Sequence, residues 1–92
     1  MYYTYVLLGK RNGKFYIGFT NSLKKRLEEH KKGKVKSTKD RGKFVLVYYE
    51  ACADKKDAIK REKYFKTGFG RRFLNNRLEG FLSGSTARAL HK

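Results

Sequence analysis

The sequence predicts an α/β (α+β) domain: a small, mainly antiparallel three-stranded sheet flanked by about three helices. Three observations carry that prediction. Asn12-Gly13 separates two segments of alternating character, Phe44–Tyr49 is a near-continuous apolar run, and apolar residues recur at helical spacing elsewhere. At 92 residues the chain makes one domain. A domain of that size buries only about 60–65% of its unfolded surface, so seven Tyr and seven Phe must fill a small core efficiently.

Each element follows from local pattern. Tyr2–Leu8 and Lys14–Phe19 flank Asn12-Gly13, whose residues tolerate the positive φ of a type I′ turn. With Arg11 facing Lys14, Tyr5 faces Thr20 and Leu7 faces Gly18. Val6, Leu8, Phe15, Ile17 and Phe19 then share the core face, and Tyr3, Tyr5, Tyr16 and Gly18 share a more polar one. Tyr5 and Tyr16 would stand about four residues, or ~13 Å, apart along the sheet. Asn21 or Ser22 caps a helix to about Lys32, stopped by Gly33. Leu23 and Leu27 form its inner stripe, which Arg26 and His30 border.

Lys31–Lys43 is a loop or frayed helix end holding seven basic residues against Asp40 alone. Its Ser37-Thr38 pair and two glycines suit phosphate contacts, so the segment is expected to grip a polyanion. Phe44–Tyr49 matches a central strand buried on both faces. Asp54 opens a second helix, with Asp57 in a capping-box-like place and Ala58, Ile59 and Phe65 on its apolar stripe. Lys66–Arg72, with Gly68 and Gly70, breaks that helix. Phe73–Phe81 forms a last short one, packing Phe73, Leu74 and Leu78. The domain is expected to span 1–82, with 83–92 a flexible tail.

Charge narrows the function. A net charge of +16 on this chain is self-repulsive and calls for a polyanionic partner. No long helix sets a basic face against an apolar one, so nucleic acid is favoured over a membrane surface. No apolar run approaches the ~18 residues of a membrane span and no signal peptide is seen, which predicts a cytoplasmic protein. Cys52 stands alone and only His30 and His91 accompany it, too few for a structural zinc site. A metal would be held by carboxylate and water, which means a hard ion. Glu62 is one of only eight acidic residues, and it sits on an apolar helix stripe. There a carboxylate costs several kcal/mol unless it is paired with one of the 24 Lys/Arg or binds a metal.

Five positions draw these threads together. Tyr3-Thr4-Tyr5 is separated by ten residues from Tyr16-Ile17-Gly18; Arg26 and His30 follow four apart, and Glu62 stands further on. In order and spacing this resembles the GIY-YIG endonuclease superfamily from about Tyr3 to Leu78. It is closest to small single-domain bacterial members and similar to the nuclease domain of the excision-repair incision subunit. The first triplet departs from Gly-Ile-Tyr and keeps only its final tyrosine.

The resemblance implies a divalent-metal-dependent endonuclease that hydrolyses DNA phosphodiesters with little sequence specificity, in a DNA-repair setting. Single-stranded, branched or damaged DNA, or RNA, all fit. It implies one Mg²⁺ or Mn²⁺ ion on Glu62 and no small-molecule cofactor. Tyr5 is the implied general base, Tyr16 positions water or phosphate, and Arg26 contacts the non-bridging oxygens. A tyrosine pKa near ~10 means that a neighbouring cation must favour the phenolate. His30 relays the proton or bonds the phosphate, and either it or Tyr5 is the base. The family asparagine matches Asn75, or else Asn76. Gly18, Lys31, Lys34, Lys36, Lys39, Arg41, Lys43, Arg71 and Arg72 are expected to touch nucleic acid. The rival reading is a non-catalytic basic module that binds nucleic acid, RNA- or ribosome-associated. Nothing in the sequence specifies an oligomeric state.

Overall fold

Strand β1 (Tyr2–Gly9) is the middle of a three-stranded antiparallel sheet, with β2 (Phe15–Thr20) on one side and β3 (Phe44–Cys52) on the other. Helices α1 (Leu23–Lys31), α2 (Lys55–Phe65) and α3 (Gly68–Arg77) complete the fold, followed by a helical turn over 79–83. This computed structural model describes residues 1–36, 38–39 and 43–83. Ser37, Arg41 and the tail from Gly84 therefore lie outside the described residues. Among those described, no helix is long and apolar enough to cross a membrane. The α+β class, the antiparallel sheet and the helical flanks agree with the sequence expectation.

Four details differ, each for a physical reason. The hairpin loop has four residues rather than two: the Gly9 N–H donates to Lys14 O at 2.9 Å, and the Gly13 N–H donates to Gly9 O at 2.9 Å. Gly13 alone takes the left-handed region, at φ 66°, so no type I′ turn forms. Instead Asn12 Oδ1 accepts from the Lys14 N–H at 3.0 Å and closes the turn with its side chain. The register moves by two, pairing Tyr5 with Gly18 and Leu7 with Tyr16. Because the shift is even, Tyr5 and Tyr16 stay on one face but come two residues closer along the sheet.

The second difference is the central strand, which is β1, not β3. Thr4, Tyr5, Val6 and Leu7 are all buried, whereas much of β3 is half-exposed and Tyr49 is open to solvent. Third, the face expected to be polar is covered, because His30 of α1 packs on Tyr5 with ring centroids 5.5 Å apart. The opposite face carries the apolar core, where Val6, Phe65, Leu74 and Leu78 meet. There Thr4 donates its hydroxyl to the Ala58 carbonyl at 2.7 Å and ties β1 to α2.

Fourth, α3 begins at Gly68, so Lys66-Thr67 alone separates it from α2. Thr67 caps α3 by accepting from the Gly70 N–H at 3.1 Å. Gly70 does not break the helix; a Cβ there would run into the Tyr64 carbonyl and Phe65 Cα. It lets α3 close onto α2. The cap of α2 is as expected, with Asp54 accepting from the Lys56 N–H at 2.7 Å. The first helix starts after Ser22, whose side chain makes no capping hydrogen bond, and ends before Gly33, which sits at φ 74°.

Candidate active site

Tyr5 reaches its place because Gly18 is opposite it. A Cβ at position 18 would overlap the Tyr5 ring and hydroxyl, so only glycine lets the phenol cross β2 toward the strand edge. Its hydroxyl lies 2.7 Å from His30 Nε2 and accepts from Arg26 Nε at 3.4 Å. One helical turn separates Arg26 from His30, which is why both side chains meet the same oxygen.

The outer end of this cluster favours one set of proton positions. Thr38 can donate to the Val35 carbonyl, at 3.5 Å, which leaves its oxygen to accept from His30 Nδ1 at 2.7 Å. With Nδ1 protonated, Nε2 of a neutral imidazole is an acceptor, and Tyr5 donates to it. His30 and Thr38 are both buried, and no buried side-chain polar atom among the described residues lacks a partner. Burial, aided by the Arg26 charge, lowers the His30 pKa below its ordinary value and favours the neutral ring. Burial also raises the Tyr5 pKa, and Arg26 only partly opposes it. The expected cation is present, but desolvation outweighs it and the resting phenol keeps its proton. Arg26 has its own pKa raised by its bonds to Tyr5 and Glu29, the latter through an Nη1–Oε1 pair at 3.1 Å.

Glu62 comes from α2, which packs on the other face of the sheet, and Lys66 caps the C-terminal end of that helix. They join Tyr5, Tyr16, Arg26 and His30 in lining one cavity of about 260 Å³ at the β2 edge. The Glu62 side chain is 22% exposed and pairs with Lys66 Nζ at 3.1 Å. It is thus at the open border of the apolar stripe rather than inside it, and an exposed lysine answers its charge. Tyr16 is held by Asn12, whose Nδ2 donates to the phenol oxygen at 2.8 Å.

The remaining candidates fall elsewhere. Asn75 and Asn76 are exposed on α3 and do not line this cavity. Lys31, Lys34, Lys36, Lys39 and Lys43 are exposed around the segment after α1, as are Arg71 and Arg72 on α3. Gly18, expected to bare backbone to nucleic acid, has its open space filled by Tyr5. Thr38 was expected to meet phosphate; it is buried against His30 instead. Sequence reasoning missed the placing roles of Asn12, Glu29, Thr38 and Lys66. Lys66, four residues after Glu62 on one helix face, carried a readable signal; Thr38, in an irregular loop, carried none.

Known proteins resemble this chain in sequence and in fold. The sequence model described as the GIY-YIG catalytic domain matches residues 1–77. This chain belongs to the GIY-YIG family. A UPF0213 protein of Lacticaseibacillus paracasei is 47% identical over 66 residues, covering 71% of this chain and 73% of that one. A UPF0213 protein of Clostridium perfringens is 42% identical over 67 residues, covering 72% of this chain and 71% of the relative. Among solved structures, the solution NMR structure of the UPF0213 protein BH0048 from Bacillus halodurans is similar. It has 31% identity and a TM-score of 0.55, and the match covers 95% of this chain and 96% of that one. The GIY-YIG assignment places the chain in a nuclease superfamily whose domains act on nucleic acids.

Proposed function

We propose that the protein is a divalent-metal-dependent endonuclease that hydrolyses DNA phosphodiester bonds with little sequence preference. The observation that carries this reading is the convergence of Tyr5, Arg26, His30 and Glu62 on one cavity, with a hydrogen-bonded proton path from Tyr5 to His30 and Arg26 beside the phenol oxygen. The donor set suits a hard, hydrated ion. Glu62 is the carboxylate lining the cavity, and among the described residues no three His, Cys, Asp or Glu side chains gather as a metal cluster. Magnesium is commonly held by one or two carboxylates together with water and substrate phosphate, and manganese accepts similar oxygen ligands. Glu62 would hold it, exchanging Lys66 for the ion. Bound there, the ion supplies charge relief at the phosphoryl oxygens and the leaving oxygen.

The chain's own residues supply the rest. Arg26, part-exposed in the cavity, presents a planar cation to a non-bridging oxygen. Tyr5 accepts a proton from the attacking water while passing its own to His30 Nε2, so no free phenolate has to exist beforehand. Thr38 fixes the ring so that Nε2, not Nδ1, faces Tyr5. Arg26 beside the phenol oxygen stabilises negative charge passing through it. Tyr16, held by Asn12, orients water or phosphate. The neutral state of His30 at neutral pH supports its role as final proton acceptor.

The test is cleavage of labelled DNA with Mg²⁺, with Mn²⁺ and with chelator. Metal-dependent cutting that Glu62→Gln abolishes supports the reading. Purified protein that binds DNA but cuts single-stranded, duplex and branched DNA under neither ion would leave a non-catalytic binding module.

A further inference from the structure

Beside the catalytic cavity runs a second cleft of about 400 Å³, and the two share Phe19 and Arg26. Tyr2 and Phe19 form its aromatic wall, their rings stacked with centroids 6.1 Å apart and planes 12° apart. Neither ring packs against the apolar core, and both remain half-buried. Their surroundings are polar: Thr20, Asn21 and Ser22 line the cleft, with Lys25 from α1 and Lys55 from the start of α2, and its one carboxylate, Glu29, is neutralised by Arg26 at 3.1 Å. Both lysines are exposed, and neither forms an ion pair among the described residues. An aromatic pair at the end of the core face, outside the packed cluster and flanked by unpaired lysines, suits a planar, anionic ligand.

Building on the nuclease reading, we propose that this cleft holds one unpaired nucleobase next to the scissile phosphate, which makes single-stranded DNA the preferred substrate. With the phosphate at Arg26, the adjoining nucleotide reaches the cleft through the shared wall. Its base stacks on the Tyr2–Phe19 pair, and the next phosphate meets Lys25 or Lys55. A base inside a duplex is already covered by its neighbours and cannot offer its face to the pair. Stacking on aromatic side chains tolerates every base, in keeping with weak sequence preference. The contact should be worth roughly 5- to 150-fold in affinity for the strand.

Fluorescence anisotropy in EDTA tests this without requiring cleavage. The probes are a short oligothymidylate, the same strand carrying abasic residues, and a blunt duplex. Tyr2→Ala should weaken binding of the intact strand within that range and leave the duplex unchanged, and the abasic strand should bind both proteins equally. Tyr2→Leu, which keeps apolar bulk without a flat face, should behave like Tyr2→Ala; Tyr2→Phe should bind like wild type. Equal losses on strand and duplex, no loss at all, or Tyr2→Leu binding like wild type would overturn the platform. The nuclease reading fails separately: wild type that shows the strand-specific Tyr2 effect yet cuts no DNA keeps the platform and loses the enzyme. Wild type that cuts duplex as fast as strand, with Tyr2→Ala unchanged on both, keeps the enzyme and loses the platform.

Discussion

Replacing Tyr5 by Phe removes one oxygen from a buried network and keeps the ring against Gly18. His30 Nε2 loses its donor at 2.7 Å and Arg26 Nε loses its acceptor at 3.4 Å. Arg26 is part-exposed and finds water, but His30 is only 4% exposed and its acceptor is left unpaired. An unsatisfied buried acceptor costs about 1–3 kcal/mol. For a domain of this size that lowers Tm by roughly 4–8 °C per kcal/mol. Sequence alone predicts almost no change, because ring packing is preserved; the network changes that expectation.

Cleavage should fall much further than stability. Loss of a general acid–base group slows a reaction by roughly 100- to 10,000-fold, while DNA affinity, set by phosphate contacts, stays the same. Circular-dichroism melting, anisotropy in EDTA and single-turnover cleavage with Mg²⁺ read the three effects separately. Tyr5→Phe cutting at the wild-type rate would remove Tyr5 from the proton path and make His30 the direct base. An unchanged melting temperature would show that the phenol does not satisfy His30 as the geometry requires.

Four further outcomes are expected. Glu62→Gln should abolish metal-supported cleavage while DNA binding persists or tightens; its part-exposed i,i+4 pair with Lys66 is worth only about 0.3–0.5 kcal/mol, so a large fall in Tm would mark Glu62 as structural instead. DNA affinity should drop on the order of 1,000-fold between roughly 50 and 200 mM salt if about six phosphates are neutralised, and Lys34, Lys36 and Lys39 changed together to Ala should flatten a plot of log affinity against log salt. The lowered His30 pKa contributes stability that is fully present above its ordinary value of 6.5 and lost as pH falls through the folded value; melting across pH 8 to 5, roughly, should show that acid-side loss, and His30→Gln should diminish it. Gly18→Ala should displace the Tyr5 ring, costing about 1–3 kcal/mol of overpacking and cutting activity together, and an alanine variant as stable and active as wild type would contradict the close approach.

The parts legible in sequence were those governed by period and order. Tyr5 and Tyr16 share a face because any even loop preserves parity, so that inference survived the change from two loop residues to four. The separation did not survive, because Asn12 commits its side chain to Lys14 and Tyr16 while its own backbone stays out of the left-handed region, a choice the Asn-Gly pair does not announce. The central strand was misread for a related reason. Tyr3-Thr4-Tyr5 looks half-polar next to the apolar Phe44–Tyr49 run, yet Thr4 and Tyr5 are buried, each spending its hydroxyl on a partner distant in sequence, the Ala58 carbonyl and His30. Pattern sees that a hydroxyl is polar; it does not see that a helix will later satisfy it. Gly70 shows the same limit for space: its sequence signal is helix breaking, and its role is the room it leaves for Tyr64 and Phe65. Thr38 is the sharpest case, since a neutral, correctly oriented His30 depends on a hydroxyl eight residues away in an irregular segment. Local propensity thus failed where polar atoms had been taken into the interior, and two of those atoms, the Tyr5 and Thr38 hydroxyls, set the proton path of the proposed reaction.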